Sequence, residues 1–170
     1  MLFETERLWM TEWQAADWLA FRPIAQDPDV MRYIDSGKLW SDERVRHFVQ
    51  SQIQKVKESG FCHWKLIERA SGALIGFCGL QHYEGEIEIG WWLAKACWGR
   101  GLGTEAARVA LLDALQRVRL PRVIAMAQPE NRASIHIMEK LGMRFERNAA
   151  RNGINVVVYG IDNTEAVASG

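Results

Sequence analysis

Glycine returns at every second position in Trp98-Gly99-Arg100-Gly101-Leu102-Gly103, and a helical apolar pattern follows at once. Ahead of it, Glu86-Ile87-Glu88-Ile89 alternates with the period of a strand. The chain must therefore pass from strand to helix through residues that lack a Cβ at alternate positions. Such a turn can take positive φ and lets another molecule approach the backbone closely. The first N–H groups of the helix have no partner within it, and the positive end of its dipole points the same way. Strand, glycine turn and helix together form a site for an anion, best a phosphate or diphosphate. The bland alternative is a sharp strand-to-helix turn and nothing more.

Two nucleotide motifs compete for these glycines. The P-loop ends in Gly-Lys-Ser/Thr, a triplet absent from the chain. Gly101, Gly103 and Ala106 satisfy the dinucleotide fingerprint G-x-G-x-x-A. That fingerprint opens a long parallel sheet, whereas here only one further helix and about three strands follow. A dinucleotide fold fits poorly.

A chain of 170 residues, 48% hydrophobic, reads as one compact domain over 1–170 with enough core to fold alone. Lys+Arg and Asp+Glu both total 21, which argues against a general nucleic-acid binder. No apolar run approaches the ~20 residues of a membrane span, and Met1-Leu2-Phe3-Glu4-Thr5-Glu6-Arg7 lacks the layout of a secretory signal. Cys62, Cys78 and Cys97 lack C-x-x-C spacing and read as reduced, buried thiols. His47, His63, His82 and His136 lack metal-site spacing, so no metal is expected. These features suit a cytoplasmic enzyme or binding domain. Most of the eight tryptophans read as packing residues, with Trp40, in the turn-rich stretch 35–41, a candidate pocket wall.

The pattern predicts a strand over 7–12, a helix over 14–25, and a second helix begun by Ser41 and ended at Ser59-Gly60. Strands over 61–69, 73–81 and 86–93, separated by Ala70-Ser71-Gly72 and Glu84-Gly85, predict an antiparallel meander. After the glycines, Ala107, Ala110, Leu111, Ala114, Leu115 and Val118 form one helix face, opposite Arg108, Gln116 and Arg119. A strand over 122–127, a helix over 131–141 closed by Gly142, and strands over 143–147 and 155–161 complete the order β-α-α-β-β-β-α-β-α-β-β. The strands at 86–93 and 122–127, joined by a helix, are expected to be parallel neighbours with the anion site at their carboxyl ends. An elongated acyl carrier such as coenzyme A suits that geometry better than a mononucleotide.

At this point the chain resembles the GNAT superfamily of acyl-CoA-dependent N-acetyltransferases, and within it the ribosomal-protein acetyltransferase branch typified by RimJ and RimL. The resemblance rests on Thr5-Glu6-Arg7-Leu8, Glu88-Ile89-Gly90-Trp91-Trp92-Leu93, the glycine segment through Ala106, Pro129-Glu130-Asn131-Arg132-Ala133-Ser134 and Glu139-Lys140-Leu141-Gly142-Met143. It implies a single-domain α/β fold: a mixed, mostly antiparallel twisted sheet, helices on both faces, and a parallel strand pair splayed around the cofactor. It implies acetyl-CoA as cosubstrate, held through Trp98, Gly99, Arg100, Gly101, Leu102, Gly103 and Thr104. Trp98 stands where the superfamily pattern has Gln or Arg, at small cost because backbone amides make the cradle. The Arg100 side chain either adds a phosphate contact or is a solvated loop arginine.

Acetyl transfer to an amine needs a proton acceptor, an oxyanion donor and a proton for the departing thiolate. Glu86 and Glu88 share one strand face; Glu88 is assigned as the base, from its place before the glycine turn and its match to a family glutamate, and Glu86 to solvent. The family's helix tyrosine is replaced here by Met138, which cannot donate a proton. Ser134 resembles a serine of the Rim branch and becomes the candidate thiolate partner, against a local capping role. Asn131 is both an N-cap and, by the resemblance, a cofactor contact. The oxyanion donor is expected to be an N–H near Trp91 to Leu93. Cys97 reads as a buried or strand-end thiol and not a nucleophile.

The acceptor is then a primary amine, either a protein N-terminal α-amine or a small molecule, in a pocket built by 33–41 and the second helix. A homodimer through the last strands or the Trp-rich surface stays open. The rival reading is a non-catalytic acyl-CoA-binding or sensor domain.

Overall fold

The computed structural model describes residues 3–164. Strands β1 (Phe3–Glu4) and β2 (Leu8–Thr11) lead into a 3-10 turn at Ala15–Asp17 and helix α1 (Trp18–Ala25). A one-turn helix α2 (Pro28–Met31) precedes α3 (Asp42–Ser59). Strands β3 (His63–Glu68), β4 (Leu74–Tyr83) and β5 (Glu86–Leu93) form the meander. The glycine turn then feeds α4 (Leu102–Gln116), followed by β6 (Arg122–Ala127), α5 (Arg132–Lys140), β7 (Arg144–Arg151) and β8 (Ile154–Asp162).

Local chemistry accounts for most of these boundaries. The Ser41 side chain accepts the Arg44 N–H to start α3, and Gly60, at φ 74°, ends it in the left-handed region that a Cβ disfavours. The Asn131 side chain accepts the Ser134 N–H and starts α5 in the same way. Asn152 and Gly153, both at positive φ, make the tight hairpin between β7 and β8.

The eight strands form one sheet in the order β1-β2-β3-β4-β5-β6-β8-β7. Every neighbour is antiparallel except β5 and β6, which run parallel and meet at a single register pair, Glu88 with Ile124. Beyond that pair they part. Alternation sends successive side chains to opposite faces, and two buried clusters result. Cys78 and Leu80 join Leu102, Ala106, Ala110, Ile135 and Met138 of α4 and α5. Phe77 joins Phe21, Ile24, Val45 and Val49 of α1 and α3. Helices cover both faces, as the resemblance implies.

The predicted α4 face is buried at Ala107, Ala110, Leu111, Ala114 and Leu115, with Arg108 and Gln116 exposed. Three features depart from the sequence reading. β1 is an added strand, too short to show periodicity, paired to β2 through Phe3 with Met10. α2 forms where only a break was expected, because Asp27 caps it and Pro28 sits in its first turn, where no N–H is needed. β7 runs on to Arg151, several residues past the expected end at 147, because its pairing with β8 pays no regard to the exposure of its polar side chains.

Candidate active site

The turn from Trp98 into α4 is built as an anion cradle. Gly99 and Gly101 have φ of 70° and 77°, and Gly101 is the N-cap. The first internal bond of the helix runs from the Glu105 N–H to the Gly101 carbonyl. Among the described residues, the backbone N–H groups from Gly99 to Thr104 meet no acceptor. A Cβ on Gly103 would lie 3.0 Å from Ile137 Cδ1 and 3.5 Å from Leu93 Cδ1, so the glycine lets α4 pack against α5 and β5.

The amino-terminal segment braces this turn from behind. Arg7 Nε donates to Glu105 Oε2 at 2.7 Å, Thr5 Oγ1 to Glu105 Oε1 at 2.5 Å, and Arg7 Nη1 to the Arg100 carbonyl at 2.7 Å. Burial pushes the Glu105 carboxyl up, but the bonds from Thr5 and Arg7 outweigh it and hold it below its usual range. The sequence pieces Thr5-Glu6-Arg7 and Glu105 are thus one structural unit. Arg100 differs from the reading of it as a phosphate ligand: its guanidinium lies 2.6 Å from Glu68 and is absent from the cleft lining.

Two cavities meet beside the cradle. The first, about 530 Å³, is lined by Trp98, Gly99, Gly101, Leu102, Gly103, Thr104 and Asn131. The second, about 350 Å³, contains Glu88, Trp40, Phe48, His63 and Arg151. Tyr33, Ile34, Trp91, Trp92, Asn131 and Ser134 line both, so they form the junction. The gap arises where β5 and β6 diverge. Ala94 N–H bonds the Ile75 carbonyl toward β4, and strict register along β4–β5 turns the N–H groups of Trp91 and Leu93 the opposite way, toward the gap. The Trp98 indole, half exposed, donates to the Leu93 carbonyl at 2.9 Å.

Glu88 is 4% exposed. Oε1 accepts from Arg151 Nη1 and Oε2 from Gln81 Nε2, both at 2.7 Å. A carboxylate has about four acceptor positions, so lone pairs remain for an amine or a water. Glu86 departs from its solvent assignment: it accepts from Arg122 and Arg147 at the sheet surface. The Ser134 hydroxyl meets no partner among the described residues, so its capping role belongs to its N–H alone. Met138 is buried in the core, far from any polar task. Cys97 is likewise buried, in a 3-10 turn, and burial raises its thiol.

The acceptor-side walls are aromatic. Trp40 packs on Trp92 at 4.7 Å and under the Arg44 guanidinium at 4.6 Å, in keeping with its reading as a pocket wall. His63 stacks on Phe77 at 4.7 Å, and neither ring nitrogen has a partner. Burial, with help from the charges of Lys55 and Arg151, depresses its basicity to about 3, so it is neutral near pH 7. The turn over this pocket is tied down through Asp35, whose carbonyl accepts from Gln128 at 2.9 Å and whose carboxylate accepts from Arg44 and Asn152.

Gln81 and Arg151, which hold Glu88, are not singled out by any motif. Gln81 was within reach of the sequence: a two-residue turn at Glu84-Gly85 sets Tyr83 opposite Glu86 and Gln81 opposite Glu88. Arg151 carries no such signal, because a distant strand brings it to the site; Tyr33 and Lys55 lie in the segment and the helix expected to build the acceptor pocket, though no motif singles out either one.

These features find relatives in number. Residues 7–144 match the acetyltransferase (GNAT) domain family. The uncharacterized N-acetyltransferase YnaD of Bacillus subtilis is 34% identical over 148 residues, covering 86% of this chain and 84% of its own. An acetyltransferase of the GNAT family from Bacillus anthracis superposes with a TM-score of 0.85 at 30% identity, covering 96% of this chain and 99% of that one. RimL, a ribosomal L7/L12 alpha-N-protein acetyltransferase solved in complex with coenzyme A, shares the fold with a TM-score of 0.82 at 15% identity, over 95% and 98% of the two chains. By sequence, by fold and by its amide-lined turn, this chain belongs to the GNAT family of acetyltransferases.

Proposed function

We propose that the enzyme moves acetyl from acetyl-CoA to a primary amine by direct attack, with no acyl-enzyme. The observation that carries this reading is the junction at Asn131 and Ser134, where an amide-lined cleft and a pocket holding Glu88 open onto each other. In it, the free N–H groups from Gly99 to Thr104 hold the diphosphate, with Trp98 and Asn131 along the same cleft. The Arg100 side chain serves the loop through Glu68, and only its N–H serves the coenzyme. Bound there, the cosubstrate supplies an activated acyl carbon.

A primary amine is mostly protonated at pH 7. Glu88, directly or through a water, takes that proton on a lone pair left free by Arg151 and Gln81. The nitrogen bonds to the acyl carbon, and the N–H of Trp91 or Leu93 meets the charge that gathers on oxygen. The C–S bond breaks, the nitrogen gives up its second proton to a water as the amide forms, and the Ser134 hydroxyl passes a proton to the thiolate and recovers one from that water. The Rim branch supports a protein α-amine as acceptor; the walled cavity of about 350 Å³ supports a small one. The buried, unpaired cysteines support a cytoplasmic setting.

The test is thiol release from acetyl-CoA across a panel of small amines and amino-terminal peptides. Amine-dependent release is expected. Binding of acetyl-CoA by calorimetry with no release from any amine would leave a sensor in place of an enzyme. Ser134→Ala should lower kcat severalfold with coenzyme affinity kept; unchanged turnover would remove Ser134 from the chemistry.

A further inference from the structure

We infer that the acceptor is a small amine bearing a second, anionic group, and that Lys55 binds that group. The inference rests on the acetyl-transfer reading above and names its substrate class. Arg44, His47, Ser51 and Lys55 recur at helical spacing on α3, and all line the pocket that holds Glu88. The charges lining that pocket pair off unevenly. Arg151 faces Glu88 at 2.7 Å, and Arg44 faces Asp35 at 3.5 Å. Lys55 has no carboxylate within ion-pair distance among the described residues.

Lys55 is also half-buried, and burial lowers its ammonium below the usual range. Its electrostatic neighbours provide no compensation. Cys62, which burial pushes up to about 12, stays a neutral thiol, and His63 stays a neutral ring. A cation withdrawn from water without a counter-charge is costly, and an anion entering the pocket would recover that cost. Trp40, Phe48, Phe77 and Trp92 wall the same space with low-polarity surface, which strengthens any charge pair formed inside it. The pocket thus has a carboxylate pole at Glu88 for the amine and an ammonium pole at Lys55 for an anion. A cavity of about 350 Å³ lies at the small end of the range for small-molecule sites and has room for a molecule of amino-acid size.

The experiment compares kcat/KM for matched amines by thiol release from acetyl-CoA. Phenylalanine is set against phenylalaninamide and tyrosine against tyramine for a carboxylate, and O-phosphoethanolamine against ethanolamine for a phosphate. At least one anionic member should exceed its neutral partner by about tenfold or more, mainly through KM. Lys55→Met should collapse that ratio toward one, and Lys55→Arg should keep most of it. Equal use of both members, or a ratio that survives in Lys55→Met, overturns the inference and leaves acetyl transfer intact. Turnover confined to amino-terminal peptides also overturns it. Release from no amine at all, with coenzyme bound, removes the acetyl-transfer reading and this inference together.

Discussion

The cleft beside the glycine turn and the pocket around Glu88 are made of different materials. The cleft offers main-chain N–H groups on a contiguous run from Gly99 to Thr104, braced from behind by Arg7 and Glu105. The pocket offers side chains gathered from α3, β3, β4, β5 and β7. A ligand shared by a whole family can be gripped by backbone that any sequence with the right glycines supplies. A ligand particular to one enzyme must be read by side chains, each free to change alone. The contrast predicts where substitutions hurt and how.

The largest effect is expected at the pocket. On the proposed mechanism Glu88→Gln removes the proton acceptor and should lower kcat by about 10²–10³, with acetyl-CoA affinity unchanged by calorimetry. An equal loss of coenzyme binding would blur the division between the two cavities. Next comes the pH dependence of stability set by His63. Its folded basicity lies near 3, below the ordinary value of 6.5, so the stabilisation is complete above about pH 6.5 and is lost as pH falls toward 3. At pH 5 the loss should be about 2 kcal/mol, seen in urea midpoints, and His63→Phe should flatten that part of the curve.

The last two predictions concern the cleft and oppose each other. Gly103→Val adds atoms where a Cβ already lies 3.0 Å from Ile137 Cδ1. It should weaken acetyl-CoA binding about tenfold through displacement of the turn. Arg100→Ala deletes a whole charged side chain from the same loop, yet should change affinity less than about twofold, since that side chain serves an exposed pair with Glu68. If the arginine matters more than the glycine, the main-chain account of the cleft is wrong.

The same division explains what the sequence disclosed. The glycine turn, the α4 face, the Ser41 and Asn131 caps and the parallel strand pair are local or periodic features, and each is visible in a short window. The position of Glu88 was legible from strand alternation and nearness to the turn, while the resemblance to a family glutamate was needed to single it out from Glu86. Arg151 was not legible, because it reaches Glu88 from a strand three places away in the sheet and 63 residues along the chain. Lys55 reads as one more polar residue on an amphipathic helix until the fold shows that its face meets a cavity. The two readings of Arg100 could not be separated in the sequence, because its partner, Glu68, lies 32 residues earlier on β3.

The lone rung between Glu88 and Ile124 carries a mechanical consequence. On either side of it the sheet is a well-laced half, β1 to β5 and β6 to β8, while the seam between them is almost unstitched. Any elongated molecule lying in that seam acts as a surrogate strand. Loading the enzyme with its donor should therefore stiffen the whole molecule, slowing amide exchange along β5 and β6 before any acceptor arrives.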